Sequence, residues 1–334
     1  MAILRLILAL LGGLAMVVAA AGFAQYQAVL DSPLDLPADG ATLEVPSGQA
    51  FATLARELET RGWLRDAAYL RLHGRLSGLA TRIQAGEYAL APTTTPRQLL
   101  AMLATGQVRL HALTVVEGWT FAQLRAAVAA HPKLRPTLAG LDASAIMARL
   151  GRPGEHPEGR FFPDTYYFPA NTTDLAFLRR AYATMEERLA ATWAQRSPDL
   201  PLETPYQALI LASIIEKETG QAGERAEIAG VFVRRLRKGM RLQTDPTVIY
   251  GLGDAFDGNL TRAHLRQDTP YNTYTRHGLT PTPIALPGAA ALAAAVNPAP
   301  GDTYYFVARG DGSHAFSRTL QEHNRAVRRY QLGQ

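Results

Sequence analysis

The chain has 334 residues, 47% hydrophobic and 19% charged, a balance that excludes a mainly disordered protein and gives length for about two domains. It contains no cysteine, which excludes a disulfide framework, a thiolate metal site, a thiol nucleophile and a lipidated cysteine anchor. The formal net charge of +5, from 34 basic and 29 acidic residues, suits an anionic membrane surface or an acidic polymer and does not by itself indicate nucleic acid.

Leu6 to Ala24 is a run of 19 residues without a charge or strongly polar side chain. A membrane-crossing helix needs about 20 such residues. Arg5 precedes the run, and Asp31 and Asp35 are the first acidic residues after it. This predicts a single-pass anchor over residues 1–27, with its N-terminus in the cytoplasm and the remainder exported. A cleaved signal peptide ending at Ala21-Gly22-Phe23-Ala24 is the rival reading, although its apolar run would usually be shorter. Either way the exported part does not meet nucleic acid or cytosolic cofactors.

Residues 28–40, with Asp31-Ser32-Pro33 and Leu36-Pro37-Ala38-Asp39-Gly40, read as a linker. A small α/β module is expected over 41–110. Its parts are a strand at Thr42–Val45, a helix with Phe51, Leu54, Ala55 and Leu58 on one face, and a second helix from Asp66 to Leu72. A returning strand at Ala85–Leu90 and a helix opening at Thr95-Pro96 and closing at Gly106 complete it. The pattern Gly48-x-x-Phe51-x-x-Leu54 is echoed at Gly118-x-x-Phe121-x-x-Leu124, a weak sign of a repeated strand–turn–helix unit. Helices follow over Asp174–Gln195, Pro205–Glu218 and Glu224–Lys238, then a buried strand at Thr303–Ala308 and a helix at Glu322–Tyr330. Arg234, Arg235, Arg237 and Lys238 end the third helix, where cations are expected from the helix dipole.

Three segments bear on chemistry. On the wheel of the Pro205–Glu218 helix, Glu218 falls among Leu211, Ile214 and Ile215, so its carboxyl is either paired or raised in pKa and able to act as a general acid. The alternative is that the helix frays there and both Glu216 and Glu218 reach solvent. Gln243, Thr244 and Asp245 place three hydrogen-bonding side chains before Pro246, and Tyr271, Asn272 and Tyr274 follow Pro270. Aromatic faces with amides and carboxylates suit a sugar, while turn chemistry around the two prolines is the plainer alternative. Eight histidines include no i, i+4 pair, and neither a G-x-S-x-G motif nor a P-loop is present, so no metal and no cofactor are expected.

These segments resemble the endolytic murein transglycosylases, the MltG or YceG-like family. The resemblance rests on Ala212 to Thr219 (ASIIEKET), on Arg235 to Gly251 apart from Lys238, and on Tyr271-Asn272-Thr273-Tyr274. Phe161 to Tyr166 (FFPDTY), Tyr305 to Ala308 and His323-Asn324 agree as well. The chain departs from the family pattern at Arg234, at Thr280-Pro281-Thr282 and at Leu286. The resemblance implies an α+β protein with an N-terminal transmembrane helix, a LysM-like module over 41–110 and a larger mixed catalytic domain over 111–334. It implies a lyase that cuts nascent peptidoglycan strands between N-acetylmuramic acid and N-acetylglucosamine and leaves 1,6-anhydro ends. Glu218 is the implied catalytic residue, its pairing with Thr219 being similar to the Glu-Ser pair of other lytic transglycosylases. Gln243, Thr244, Asp245, Tyr271, Asn272, Tyr274 and Glu216 are assigned to substrate binding. Implied partners are glycan strands, inner-membrane lipid and peptidoglycan synthases, with no nucleic acid. A non-catalytic wall-binding scaffold and a water-using hydrolase are the alternatives.

Overall fold

The structure, a computed structural model, describes residues 2–333. It opens with helix α1 (Ala2–Asp31), 30 residues long and so about 45 Å, whose apolar stretch touches no other part of the protein. The helix runs past residue 27 into the segment expected as linker. Gln25 to Leu30 are sound helix formers, Leu30 is fully buried, and Pro33 ends the helical register.

The chain divides into two compact units. One comprises the residues up to His111 with Phe168–Asn171; the other comprises Ala112–Tyr167 and the chain from Thr172 onward. In the smaller unit β1 (Ala41–Val45), α2 (Phe51–Thr60), α3 (Ala67–Leu76), β2 (Gly86–Leu90) and α4 (Pro96–Thr105) follow the predicted order. β1 and β2 pair antiparallel with Leu43 opposite Tyr88. Alternation turns Leu43 and Val45 inward, onto Leu54, Leu58, Leu99 and Leu103. A capping box between Thr95 and Gln98, with Pro96 in the first turn, starts α4, and left-handed Gly106 ends it. Gly74 is required on α3, since a Cβ there would run into the Phe51 ring.

The larger unit is mainly helical. β3 (Leu110–Thr114) leads to α5 (Phe121–Ala130), β4 (Leu134–Arg135), α6 (Ala143–Arg149), β5 (Thr165–Pro169) and β6 (Thr172–Thr173). β3 pairs with β5, and β4 runs parallel to β6. Next come α7 (Asp174–Ala194), α8 (Pro205–Glu218), α9 (Arg225–Arg237), α10 (Asp245–Leu252), α11 (Arg262–Arg266) and α12 (Ala289–Val296). The hairpin β7 (Tyr305–Ala308) and β8 (His314–Ser317) precedes α13 (Leu320–Gln331).

α8 is the centre of this unit. Ala208 to Ile215 are all buried, so the helix is apolar all round rather than along one stripe, and it is enclosed by α7, α9, α10 and α12. Alanines on α12 let its backbone come close to α8. β7 is a strand as expected, but only Val307 is buried, because it belongs to a two-stranded hairpin. The overall class is mixed α+β with one N-terminal apolar helix.

Asp174 opens α7 and is buried. Its carboxylate accepts the backbone N–H of Thr137, Leu138 and Leu175 and the Thr137 hydroxyl. Burial alone would raise its pKa; these donors outweigh it and hold the carboxyl below the ordinary 3.8. Asp174→Ala should cost about 2–3 kcal/mol at pH 7 by stranding buried donors. Because the folded pKa is depressed, this stabilisation is complete above 3.8 and vanishes as pH falls through the lower folded value. Urea unfolding of both proteins at about pH 7 and about pH 2.5 checks this, the difference between them shrinking at the lower pH.

Candidate active site

Thr204 caps α8 by accepting the Gln207 N–H at 3.2 Å, and Pro205 occupies its first turn. The helix ends at Glu218, and Thr219 leaves it in an extended conformation, its hydroxyl accepting the Gln221 N–H at 2.9 Å. Glu218 therefore stands where the most buried helix of the unit meets a cleft of about 490 Å³. The cleft is lined by Glu218, Arg235, Gln243, Thr244, Asp245 and Tyr274, together with Tyr305, His314, His323 and Asn324.

Burial pushes the Glu218 carboxyl up to about 7, and the charge of Asp245 adds to the rise. The Thr244 hydroxyl, His314 and Arg235 act in the opposite sense. The negative end of the α8 dipole also disfavours an anion there. Thr244 sits at the N-cap of α10 without capping it, since its hydroxyl donates to Glu218 instead. Its own N–H donates to Thr273 Oγ1 at 3.0 Å, and Thr247 Oγ1 bonds the Thr244 carbonyl at 2.8 Å. Gln243 adopts φ +51°, unusual for a residue with a Cβ, and is held by its N–H on the Thr273 carbonyl at 3.1 Å. The Tyr274 hydroxyl donates to Asp245 Oδ1 at 2.5 Å, and burial and then that carboxylate raise the phenol's pKa.

Gln243, Thr244, Asp245 and Tyr274 thus converge on Glu218. Tyr271, Asn272 and Glu216 do not line the cleft. Asn272 is 1% exposed; its amide donates to the carbonyls of His264, Leu265 and Gln267, and its Oδ1 accepts the Tyr274 N–H at 2.8 Å. It builds the turn that presents Tyr274. Tyr271 bonds Thr282 Oγ1 at 2.9 Å and packs edge-on against Tyr250. Glu216 has a buried side chain that accepts the Gly288 N–H at 2.9 Å, at the start of α12, with Arg225 3.7 Å away. Burial and then the nearby Glu117 raise its pKa, against the Gly288 bond and the Arg225 charge. Neither glutamate extends into open solvent, as fraying would require.

The basic run at the end of α9 is more than a dipole complement. Arg235 Nε donates to the Tyr304 carbonyl at 2.6 Å and Nη1 to the Leu242 carbonyl at 2.8 Å, with the guanidinium over the Tyr305 ring. It ties α9 to the 241–242 segment and to the residue that leads into β7. Its i+7, i+4 and i+3 spacing from Ile228, Val231 and Phe232 is the sequence signal that it faces inward. His314 is oriented by Glu224, whose carboxylate meets Nδ1 at 2.7 Å and the His314 N–H at 3.0 Å. Nothing in the local sequence pairs these two residues, 90 positions apart. His323 stacks on Tyr305 with centroids 5.3 Å apart. The departures from the family pattern are accommodated: Arg234 binds the Thr303 and Ala299 carbonyls, Thr280 and Thr282 bond neighbouring carbonyls, and Leu286 is fully buried. Among the described residues no group of three His, Asp or Glu converges to hold a metal.

The profile of the YceG-like family matches residues 43–329. The chain belongs to the YceG-like family. It is 32% identical to the endolytic murein transglycosylase of Bacillus subtilis, over 86% of this chain and 84% of that one. It is 28% identical to the endolytic murein transglycosylase of Streptococcus pneumoniae, matching over 92% of its own length and 62% of the streptococcal protein. The crystal structure of a yceG-like protein from Listeria monocytogenes, 28% identical, superimposes with a TM-score of 0.54 over 86% of this chain and 99% of that one.

Thr244→Val removes the donor that stabilises the ionised Glu218 and should move that carboxyl above about 7. A carbon-13 titration of labelled glutamate carboxyls in both proteins checks the direction; a downward or absent shift would count against the bond.

Proposed function

We propose that the protein is a peptidoglycan lytic transglycosylase, a lyase that makes internal cuts in nascent glycan strands. The observation that carries the proposal is the Glu218 carboxyl at the end of α8, raised by burial to about 7 at the wall of a polar cleft. Membership of a family whose curated relatives are named endolytic murein transglycosylases supports it.

In this reading the strand lies in the cleft with the bond between N-acetylmuramic acid and N-acetylglucosamine beside Glu218. The neutral carboxyl donates its proton to the bridging oxygen as the C1–O4 bond breaks. The departing sugar gains a hydroxyl, and positive charge develops at C1 of the muramic residue. Asp245 supplies negative charge to that centre. The Glu218 carboxylate then takes the proton of the C6 hydroxyl, which closes on C1 as a 1,6-anhydro ring. The proton returns to Glu218 and no water is consumed. One carboxyl suffices as acid and then base, unlike the usual glycosidase pair. Thr244 supports the anionic stage through its hydrogen bond, Tyr274 holds Asp245, and Gln243 offers an amide to the sugar.

α1 is read as a single-pass anchor in the inner membrane with Arg5 on the cytoplasmic side, the larger unit acting in the periplasm. The smaller unit is read as a LysM-like module that holds glycan, and such placement near the membrane would bring the enzyme to strands leaving the synthases and limit their elongation.

Glu218→Gln should lower cutting by about 10²–10⁴-fold. Glu216→Gln, which alters a buried contact outside the cleft, should cut within about tenfold of wild type while unfolding at lower temperature. Mass spectrometry of digested, purified peptidoglycan reads the result. Anhydro ends support the proposal, reducing ends would indicate a hydrolase, and no products would indicate a scaffold. Activity should fall as pH rises through about 7, since only the protonated Glu218 donates. A fall on the acid side alone would remove Glu218 from the role of acid.

A further inference from the structure

We propose that the outer face of α3 is a lipid-docking surface that seats the smaller unit on an anionic bilayer, an inference that rests on reading α1 as a membrane span. The apolar run of α1 ends at Ala24, and Tyr26 lies two residues on, about 3 Å further along the axis. The Tyr26 hydroxyl meets His73 Nδ1 at 2.8 Å, and its ring lies 6.4 Å from Tyr69, both on α3. α3 is therefore attached to α1 at the level where hydrocarbon gives way to headgroups, the depth at which tyrosines collect.

Around α3, Ala67, Leu70 and Gly74 enter the core, while Tyr69 and His73 face α1. Between the α1 side and the solvent lies an i, i+4 pair, Leu72 and Leu76, which are 47% and 71% exposed. A second i, i+4 pair, Arg71 and Arg75, borders them and is also exposed. α3 carries no acidic residue; Asp66 and Glu59 lie at its N-terminus, accepting the Ala68 and Ala67 N–H, and Asp31, near His73, is paired with Arg97. Leucines next to a membrane helix, rimmed by arginines, match the two layers of a bilayer surface: acyl and glycerol groups for the first, phosphates for the second.

The attachment is also stiff. Arg97 on α4 donates to Asp31 at 2.8 Å and to Gln27 at 2.5 Å, and Leu30 is fully buried in the same unit. α1 continues as helix into these contacts, so the depth of α3 is set by the span and not by a slack linker. Docking then costs little ordering, and two leucines and two arginines suffice.

The absence of cysteine permits single-site labelling of the full chain. Nitroxide-labelled Leu76→Cys is reconstituted in vesicles of phosphatidylethanolamine and phosphatidylglycerol, with Val17→Cys on α1 and Arg56→Cys on α2 as references. The expected result is that the labels at positions 17 and 76 relax faster with lipid-soluble oxygen and are shielded from a water-soluble nickel complex, while the label at 56 is open to nickel. Adding Arg71→Glu and Arg75→Glu should shift the label at 76 toward water by roughly fivefold per arginine, and phosphatidylcholine vesicles should abolish that difference. A label at 76 open to nickel while the label at 17 is not would overturn the inference and leave the anchor standing. A label at 17 open to nickel would remove the anchor itself. Spin–spin broadening at 76 that disappears on dilution with unlabelled chain, without oxygen access, would assign the face to a second copy and overturn it too.

Discussion

The desolvation of one carboxyl at the end of α8 is the constraint around which the larger unit is arranged. Eight consecutive residues of α8 are buried, so the helix serves as the hub on which α7, α9, α10 and α12 pack. Its C-terminus must emerge somewhere, and it emerges at the cleft with Glu218. The same apolar enclosure that stabilises the helix disfavours the carboxylate anion, so stability and the availability of a proton near neutrality share one cause. Glu216, two residues earlier on the same helix, has its own burial put to a different use, holding the first turn of α12 through the Gly288 N–H.

The polar wall of the cleft is fixed largely by the groups behind it. Asn272 closes the turn beneath Tyr274 and Thr273 receives the Thr244 N–H, while Arg235, on the cleft itself, collects the carbonyls of Leu242 and of Tyr304 just before β7. A neighbouring carboxyl, Glu158, is pushed up to about 7 by burial but binds the Phe121 N–H and the Tyr250 hydroxyl, and so fastens α10 from outside the cleft. Preorganised donors and acceptors of this kind cost no rearrangement when charge develops in a bound substrate. Gly288 shows how tight the arrangement is, since a Cβ there would overlap the Glu117 carboxyl.

The smaller unit follows a different rule. Its core is assembled from short elements whose sequence signals agree with one another, and the end of α1 packs into it through Leu30 and the Arg97–Asp31 pair before an irregular segment leads to β1. Local consistency explains why β1, α2, α3, β2 and α4 were each legible from periodicity, proline and glycine alone. The long helices of the larger unit were legible for the same reason. α12 was not, because six alanines with only Leu292 and Val296 among them carry no amphipathic signal, and α10 was not, because its eight residues read equally as a turn after Pro246.

The sequence by itself determined the apolar N-terminal run, the order of the main helices, and the presence of Glu218 amid apolar neighbours followed by Gln243-Thr244-Asp245 and Tyr271-Asn272-Thr273-Tyr274. These are local properties, written in spacing. Tertiary structure alone decided which of those residues meet. Thr244 bonds Glu218 and Gln243, Asp245 and Tyr274 share its cleft, whereas Tyr271, Asn272 and Glu216 are committed to contacts elsewhere. It also added the partners of Arg235, whose helical spacing shows only that it faces inward, and the Glu224–His314 pair, 90 residues apart and unmarked in any local window. Side-chain type follows from sequence, but a carboxyl's pKa and a polar atom's partner depend on which distant segments pack around it, and packing is a property of the whole unit.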